Sequence, residues 1–324
     1  MNCSIIIPTH NRGPLLRQSL KSLADLTVPE GMAVELLVVD NASTDDTAHV
    51  VEQSAGGLPF PVRYLVEKRL GASHARNRAI LEASHEHLVF LDDDMLVDPG
   101  WLEAYAKAQA SHQPDAVVGP VEPWHESDPQ TMPWLTPRML DFVTSSFARK
   151  GDRLRLLRSE ECHEVSSCNF AVRRQVAIDA GGFNTSLDRS GRGMLAGGDT
   201  ELGEKLGLLG KRIAYVPGCR IRHFISRHKV SPEGLRSRWR GLGATQRALM
   251  DLRGERLATA RNLRLHARMI RLAFRGLRAR LRREDREALR WELEALWLRG
   301  LLHSPVRLPR RAWPPVPLTG DRQE

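Results

Sequence analysis

Four short apolar runs, residues 3–7, 34–39, 62–66 and 87–91, alternate with stretches of helical periodicity at 15–26, 48–53 and 72–84. Runs of this length rich in Val, Ile and Leu read as buried strands. Strands separated by helices are joined by crossovers, which make neighbouring strands parallel. The expected fold is therefore α/β, a mostly parallel central sheet with helices on both faces. In such sheets ligands bind outside the carboxyl ends of the strands. Three of these ends are polar: Pro8-Thr9-His10-Asn11-Arg12, Asp40-Asn41 and Asp92-Asp93-Asp94.

Further along, helices are expected at 99–111, 174–180 and 199–209, and strands at 116–119, 166–172, 212–216 and 219–223. Residues 120–137 read as a proline-rich loop holding Trp124 and Trp134, and Gly181-Gly182 as a helix stop. The glycine-bearing stretch 191–198 reads as a lid or as an ordinary surface loop. Past Pro232 the chain turns to arginine, leucine and alanine in long helical periodicity, until Pro305. The division is a catalytic domain at 1–230, a basic helical extension at 231–304 and an unstructured end at 305–324.

Charge follows the same division. Residues 235–283 hold 15 arginines against Asp251 and Glu255, a local balance of +13, so the remainder of a chain totalling +9 carries about −4. Arg261, Arg264, Arg268, Arg271, Arg275, Arg278 and Arg282 recur at steps of three and four and form one helix face, with Leu263, Ile270, Phe274, Leu277 and Leu281 on a neighbouring one. Such a helix suits an anionic membrane surface; the plainer reading is packing on the catalytic domain or a dimer partner. No run of about 18 apolar residues spans a bilayer, and Cys3, Cys162, Cys168 and Cys219 lack disulfide-scaffold spacing. A cytoplasmic protein is expected, with the inner face of the membrane as the place for the basic helix.

Three adjacent carboxylates repel one another unless a cation joins them, and Asp92, Asp93 and Asp94 follow their strand directly. Hard oxygen donors there suit Mg²⁺ or Mn²⁺ that also holds substrate phosphates; the plainer reading is an acidic turn. Asp40 ends the second strand on the same sheet edge, where a carboxylate accepts from a base or ribose, unless Asp40-Asn41-Ala42-Ser43 is only a turn.

Together, Ile5-Ile6-Ile7-Pro8-Thr9-His10-Asn11-Arg12, Val38-Val39-Asp40-Asn41-Ala42-Ser43-Thr44-Asp45, Gly71-Ala72-Ser73-His74-Ala75-Arg76-Asn77 and Phe90-Leu91-Asp92-Asp93-Asp94 resemble family 2 glycosyltransferases in wording, order and spacing. Asn169-Phe170-Ala171-Val172-Arg173-Arg174, Gly181-Gly182-Phe183 and Gly198-Asp199-Thr200-Glu201-Leu202 extend the resemblance to roughly 70% of the chain. It implies the GT-A fold and inverting transfer from a nucleotide-sugar donor, UDP by default, to a glycan or lipid-linked acceptor, with a divalent metal as cofactor.

The resemblance also assigns roles. Pro8, Thr9 and Arg12 line the base pocket, Asp40 meets the base, Arg76 lies beside the nucleotide, and Asp92 and Asp93 belong to the nucleotide site. Asp94 is the main protein ligand of the metal, His223 joins it there or at the diphosphate, and Asn169 falls on the acceptor side. Asp199 is the general base, which inversion needs on the acceptor side. Gly198 stands where many relatives carry an acid, so Asp188, Glu201 and Glu204 remain alternative bases. Trp124 and Trp134 either stack on an acceptor sugar or anchor their loop.

Two other functions compete. An arginine stripe can track nucleic-acid phosphates, but it has no interleaved aromatics and leaves the acidic triplet unexplained, so no nucleic acid is expected. A nucleotidyltransferase on a related sheet would release pyrophosphate instead of a nucleoside diphosphate.

Overall fold

The computed structural model describes residues 1–144, 151–188, 195–312 and 315–319. Its first half holds β1 (Cys3–Thr9), α1 (Gly13–Ala24), β2 (Val34–Asp40), α2 (Thr47–Ala55), β3 (Val62–Val66), α3 (Ala72–Glu82), β4 (His87–Leu91), β5 (Met95–Val97) and α4 (Trp101–His112). Next come β6 (Ala116–Val118), β7 (Val121–His125), α5 (Pro137–Thr144), β8 (Arg155–Leu156), β9 (Asn169–Arg173), α6 (Arg174–Asp179) and α7 (Gly198–Leu208). The last elements are β10 (Ile213–Tyr215), β11 (Ile221–Ile225), α8 (Pro232–Leu252), α9 (Thr259–Leu281) and α10 (Asp285–His303).

The main sheet has the order β3-β2-β1-β4-β9-β6-β10-β8. β3, β2, β1 and β4 are parallel, as their alternation with helices requires, while β9 runs antiparallel between β4 and β6. Every residue of β1 and β2 is buried, which explains why these strands read as continuous apolar runs. Leu16, Leu20 and Leu23 of α1 pack in the core cluster on one face, and Ala75, Ala79 and Ile80 of α3 in that on the other. All four cysteines are buried and unpaired.

A second sheet, β5-β11-β7, stands at the carboxyl edge of the first. β7 lies within residues expected to be loop. Pro123 cannot donate to a ladder, which argues against a central strand, but β7 occupies an edge and, among the described residues, pairs with β11 alone. This sheet carries the chain of β11 back beside the acidic triplet.

The three tail helices are bound into the molecule. Leu235, Leu289 and Leu293 share a cluster with Met132, Ile225 and Val230, and Leu249 and Leu252 of α8 pack on Leu187 and Leu195. Residues 305–319, expected as an unstructured end, form no helix or strand where described, yet they are fastened to the domain. Arg311 pairs with Glu201 at 3.4 Å and Glu204 at 3.5 Å, and the Leu318 amide donates to the Ile178 carbonyl at 2.8 Å. Composition cannot reveal such pairing.

α8 and α10 cross at glycines. A Cβ on Gly243 would stand 1.9 Å from the Trp297 carbonyl oxygen, and one on Gly300 2.1 Å from that of Arg240. Both obstacles are backbone, so relief requires the helices to part. Gly243→Val is therefore expected to cost about 1–3 kcal/mol or more, outweighing any gain in helix propensity. The checking measurement is the urea midpoint; an unchanged midpoint would show that the crossing tolerates a side chain.

Candidate active site

The carboxyl ends of β1, β2 and β4 bring Thr9, Asp40 and the acidic triplet to one crevice. Thr9 and Asp40 are direct neighbours in the β1–β2 ladder, and the Thr9 hydroxyl donates to Asp93 Oδ2 at 2.9 Å. The triplet's backbone is pinned from two sides. Ser19 of α1 donates its hydroxyl to the Asp93 carbonyl at 2.8 Å and accepts from the Met95 amide at 3.1 Å, and the Phe224 amide of β11 donates to the Asp94 carbonyl at 2.9 Å.

That last bond places the metal candidates together. β11 runs antiparallel to β5 with His223 opposite Met95, so His223 arrives beside Asp94, its Nε2 3.6 Å from Asp94 Oδ1. Lys229 follows six residues later, with Nζ 3.1 Å from both Asp94 Oδ2 and His223 Nε2. Arg12 donates to Asp93 Oδ1 at 2.9 Å and Asp94 Oδ2 at 3.0 Å. Arg12, expected beside the base, thus lies on the acids, because adjacent carboxylates attract the nearest guanidinium.

The two buried acids differ. Burial pushes Asp93 up to about 6, against the pull of Arg12. Burial acts on Asp94 too, but His223, Lys229 and Arg12 together hold it well below the usual carboxylate range. Asp94 is therefore an ionised oxygen donor that already attracts cations.

The donor set fits Mg²⁺ or Mn²⁺ in one specific way. The Lys229 ammonium bridges Asp94 and His223, showing that a cation is electrostatically accommodated between those two donors. Among the described residues no group of three or more His, Cys, Asp and Glu forms a complete protein cage. A hard cation with two protein donors takes its other ligands from water and a substrate diphosphate, the usual arrangement where phosphate is bound.

Asp40 is buried, its Oδ1 accepting from the Ser43 amide at 2.7 Å and its Oδ2 from the Tyr64 phenol. Tyr64 had no signal in the sequence beyond its place on β3. Pro8 lies on β1 next to Thr9. Arg76 of α3 donates to Asp92 Oδ1 at 2.7 Å, stands 5.4 Å from the Phe183 ring centroid, and has a buried Nε with no hydrogen-bond partner among the described residues. Burial opposes its charge, but Asp92, Asp199 and Asp188 raise its pKa.

Asp199 opens α7, half-buried, with Oδ1 accepting from the Thr200 amide at 2.8 Å and Oδ2 from the Ser167 amide at 3.3 Å. Burial raises its pKa despite the field of Arg76. The other acids considered for the base are engaged. Asp188 accepts from the Ser73 hydroxyl at 2.6 Å and amide at 2.8 Å, Glu201 pairs with Lys205 at 2.9 Å, and Glu204 pairs with Arg253 and Arg311. Of the four, only Asp199 lacks a side-chain partner within hydrogen-bonding reach among the described residues. Residues 191–194 of the expected lid lie outside the described residues.

Two acceptor-side expectations change. Asn169 is 2% exposed and fully engaged, donating to the Pro120 and Cys219 carbonyls at 3.1 and 2.8 Å and accepting from the Trp101 indole at 3.0 Å. It joins strands instead of facing an acceptor. Trp134 donates to the Val230 carbonyl at 3.0 Å and packs on the cluster below α5, which makes it the anchor of its loop. Trp124 is half-buried on β7, edge-on to Phe224 with ring centroids 5.1 Å apart.

The family model described as Glycosyl transferase family 2 matches residues 4–181. The succinoglycan biosynthesis protein ExoM of Rhizobium meliloti (strain 1021) is 28% identical over 255 residues, covering 78% of this chain and 77% of that protein. The poly(ribitol-phosphate) beta-N-acetylglucosaminyltransferase TarS of Staphylococcus aureus is 31% identical over 118 residues, which span 36% of this chain and 20% of that protein.

Among solved structures, the mannosyltransferase PcManGT from Pyrobaculum calidifontis, in complex with GDP-Man and Mn²⁺, has a TM-score of 0.59 at 20% identity, covering 93% of this chain and 87% of that one. S. aureus TarS 1–349 in complex with UDP has a TM-score of 0.54 at 17% identity, covering 93% and 89%. At these identities the likeness speaks for the fold.

Proposed function

The chain belongs to glycosyl transferase family 2 and has the GT-A fold, and on that premise we propose that it moves a sugar, with inversion, from a nucleoside diphosphate to an acceptor hydroxyl. The observation that carries the mechanism is Arg76, which donates to Asp92 Oδ1 at 2.7 Å and whose charge is stabilised by Asp199 as well. One guanidinium thereby links the acids at the donor end to the acid at the start of α7.

Pro8, Thr9 and Asp40 receive the nucleoside. Each Asp40 oxygen already accepts one hydrogen bond and keeps a lone pair for a base N–H or ribose hydroxyl. Asp94 and His223 would hold a divalent cation, which when bound would offset the charge growing on the departing diphosphate. Arg12 stands beside that position and adds positive charge, and the Lys229 ammonium, which bridges Asp94 and His223 here, would give up that place to the metal. Asp199 takes the proton of the acceptor hydroxyl as the new bond forms. Its side chain is not completely buried, which leaves an approach for an acceptor, and its raised pKa makes it a stronger base than a solvated aspartate. The acceptor is a glycan or a lipid-linked glycan.

Thermal denaturation with UDP-, GDP- and dTDP-sugars tests the donor reading. Ligand at about a hundred times its dissociation constant adds about 2.7 kcal/mol, a rise of about 5–10 °C for a domain of this size. The rise is expected with Mn²⁺ and one preferred nucleotide, UDP by default, and should vanish with EDTA. No stabilisation by any of the three, at saturating metal, would defeat the proposal.

A further inference from the structure

We infer that the outer face of α9 is a docking surface for an anionic lipid bilayer. This goes beyond the transfer reaction and does not depend on it. Leu263, Ile270, Phe274, Leu277 and Leu281 are between 52% and 78% exposed, although each is large and apolar. They lie on the side of α9 opposite Leu272, Gly276 and Ala279, which are buried on the side that packs on α10. Internal packing therefore leaves the stripe uncovered for about 27 Å at 1.5 Å per residue. Leu277 also lines an open groove of about 760 Å³ between α9 and α10 with Ala273, Gly276 and Leu296, which widens the apolar surface.

Charge selects the occupant. α9 carries seven arginines and no acidic residue. Arg264, Arg271 and Arg278 run along one edge of the stripe, and none has a carboxylate partner among the described residues. Leu263, Ala267, Ile270, Phe274, Leu277 and Leu281 also follow the four-and-three spacing of a coiled-coil seam. Pairing with a second copy would bring arginine rows together with no acid on either helix, whereas such seams use opposite charges at their flanks. Nucleic acid would use the arginines and leave the apolar stripe in water. An anionic bilayer satisfies both features: the stripe enters the acyl boundary while the arginines meet the headgroups.

The test uses the full chain, because removing residues 235–324 would uncover Leu187 and Leu195. Sedimentation is measured with phosphatidylcholine vesicles, with and without phosphatidylglycerol. Binding is expected only with phosphatidylglycerol and should weaken as salt is raised. Arg264→Gln, Arg271→Gln and Arg278→Gln together should weaken it about 10²-fold, taking about fivefold for each arginine. Leu263→Ser, Phe274→Ser and Leu281→Ser alter only exposed side chains and should abolish sedimentation while leaving the melting temperature unchanged. Wild-type binding absent or indifferent to lipid charge, or serine variants that bind as well as wild type, would overturn the inference. A wild-type dimer that the serine substitutions convert to monomer, without vesicle binding, would assign the stripe to a second copy and overturn it equally.

Discussion

Asp94→Ala is expected to remove the metal-dependent part of donor affinity. Wild-type protein should bind the preferred nucleotide-sugar far more tightly in Mn²⁺ than in EDTA, whereas the variant should bind equally weakly in both. Loss of an outer-shell partner typically costs about 10- to 100-fold in metal affinity. Removing the buried carboxylate itself should cost about 10²-fold or more. The carboxylate has no substitute: Asp93 is engaged by Thr9 and Arg12, and Asp92 by Arg76.

The same change releases Arg12 and Lys229 from their shared anion. Their side chains are 41% and 24% exposed, so water screens much of the loss, and we expect less than about 3 kcal/mol of destabilisation. Asp94→Asn keeps the shape and controls for folding. Titration calorimetry separates the outcomes. A variant that binds the donor as tightly as wild type in Mn²⁺, or a wild type indifferent to EDTA, would remove Asp94 from the metal.

The parallel half of the fold was legible because β1, β2 and β4 are central strands. Burial on both faces writes an uninterrupted apolar run, and the polar residues at each end mark the crevice. The second sheet was not legible. β5 has three residues, too few for a pattern, and β7 contains Pro123, which reads as a loop until pairing shows it to be an edge. His223 reached Asp94 through that same sheet, so only the family resemblance placed it there.

Side-chain partnership was the other hidden quantity. Lys229, Tyr64 and Ser19 belong to no motif, and their positions follow from tertiary contacts. Asn169 sits in a motif beside strands, yet burial commits all of its bonds to the scaffold. The arginine stripe was visible, but its apolar neighbour is interpretable only once α10 is seen to cover the opposite face.

Asp199→Asn should lower kcat by about 10²- to 10⁴-fold, the usual contribution of a general base, while donor affinity stays nearly constant. Asparagine can still accept through its carbonyl oxygen from the Thr200 or Ser167 amide, so α7 should keep its start. Glu201→Gln is an unsuitable comparison, because Glu201 is buried against Lys205 and Arg311 and its neutralisation would disturb packing. Asp188→Asn is the better one: its acid binds Ser73, and the variant should retain most turnover.

The pH profile adds a readout that a structural role would not move. A base works only when ionised, so activity is present above its pKa and lost as pH falls through it. Burial raises the pKa of Asp199, so the acid limb of kcat should lie above the range of a solvated aspartate. In Asp199→Asn that limb should disappear from the residual rate. If the variant turns over normally with chemistry rate-limiting, or keeps the same acid limb, the proton goes to another group.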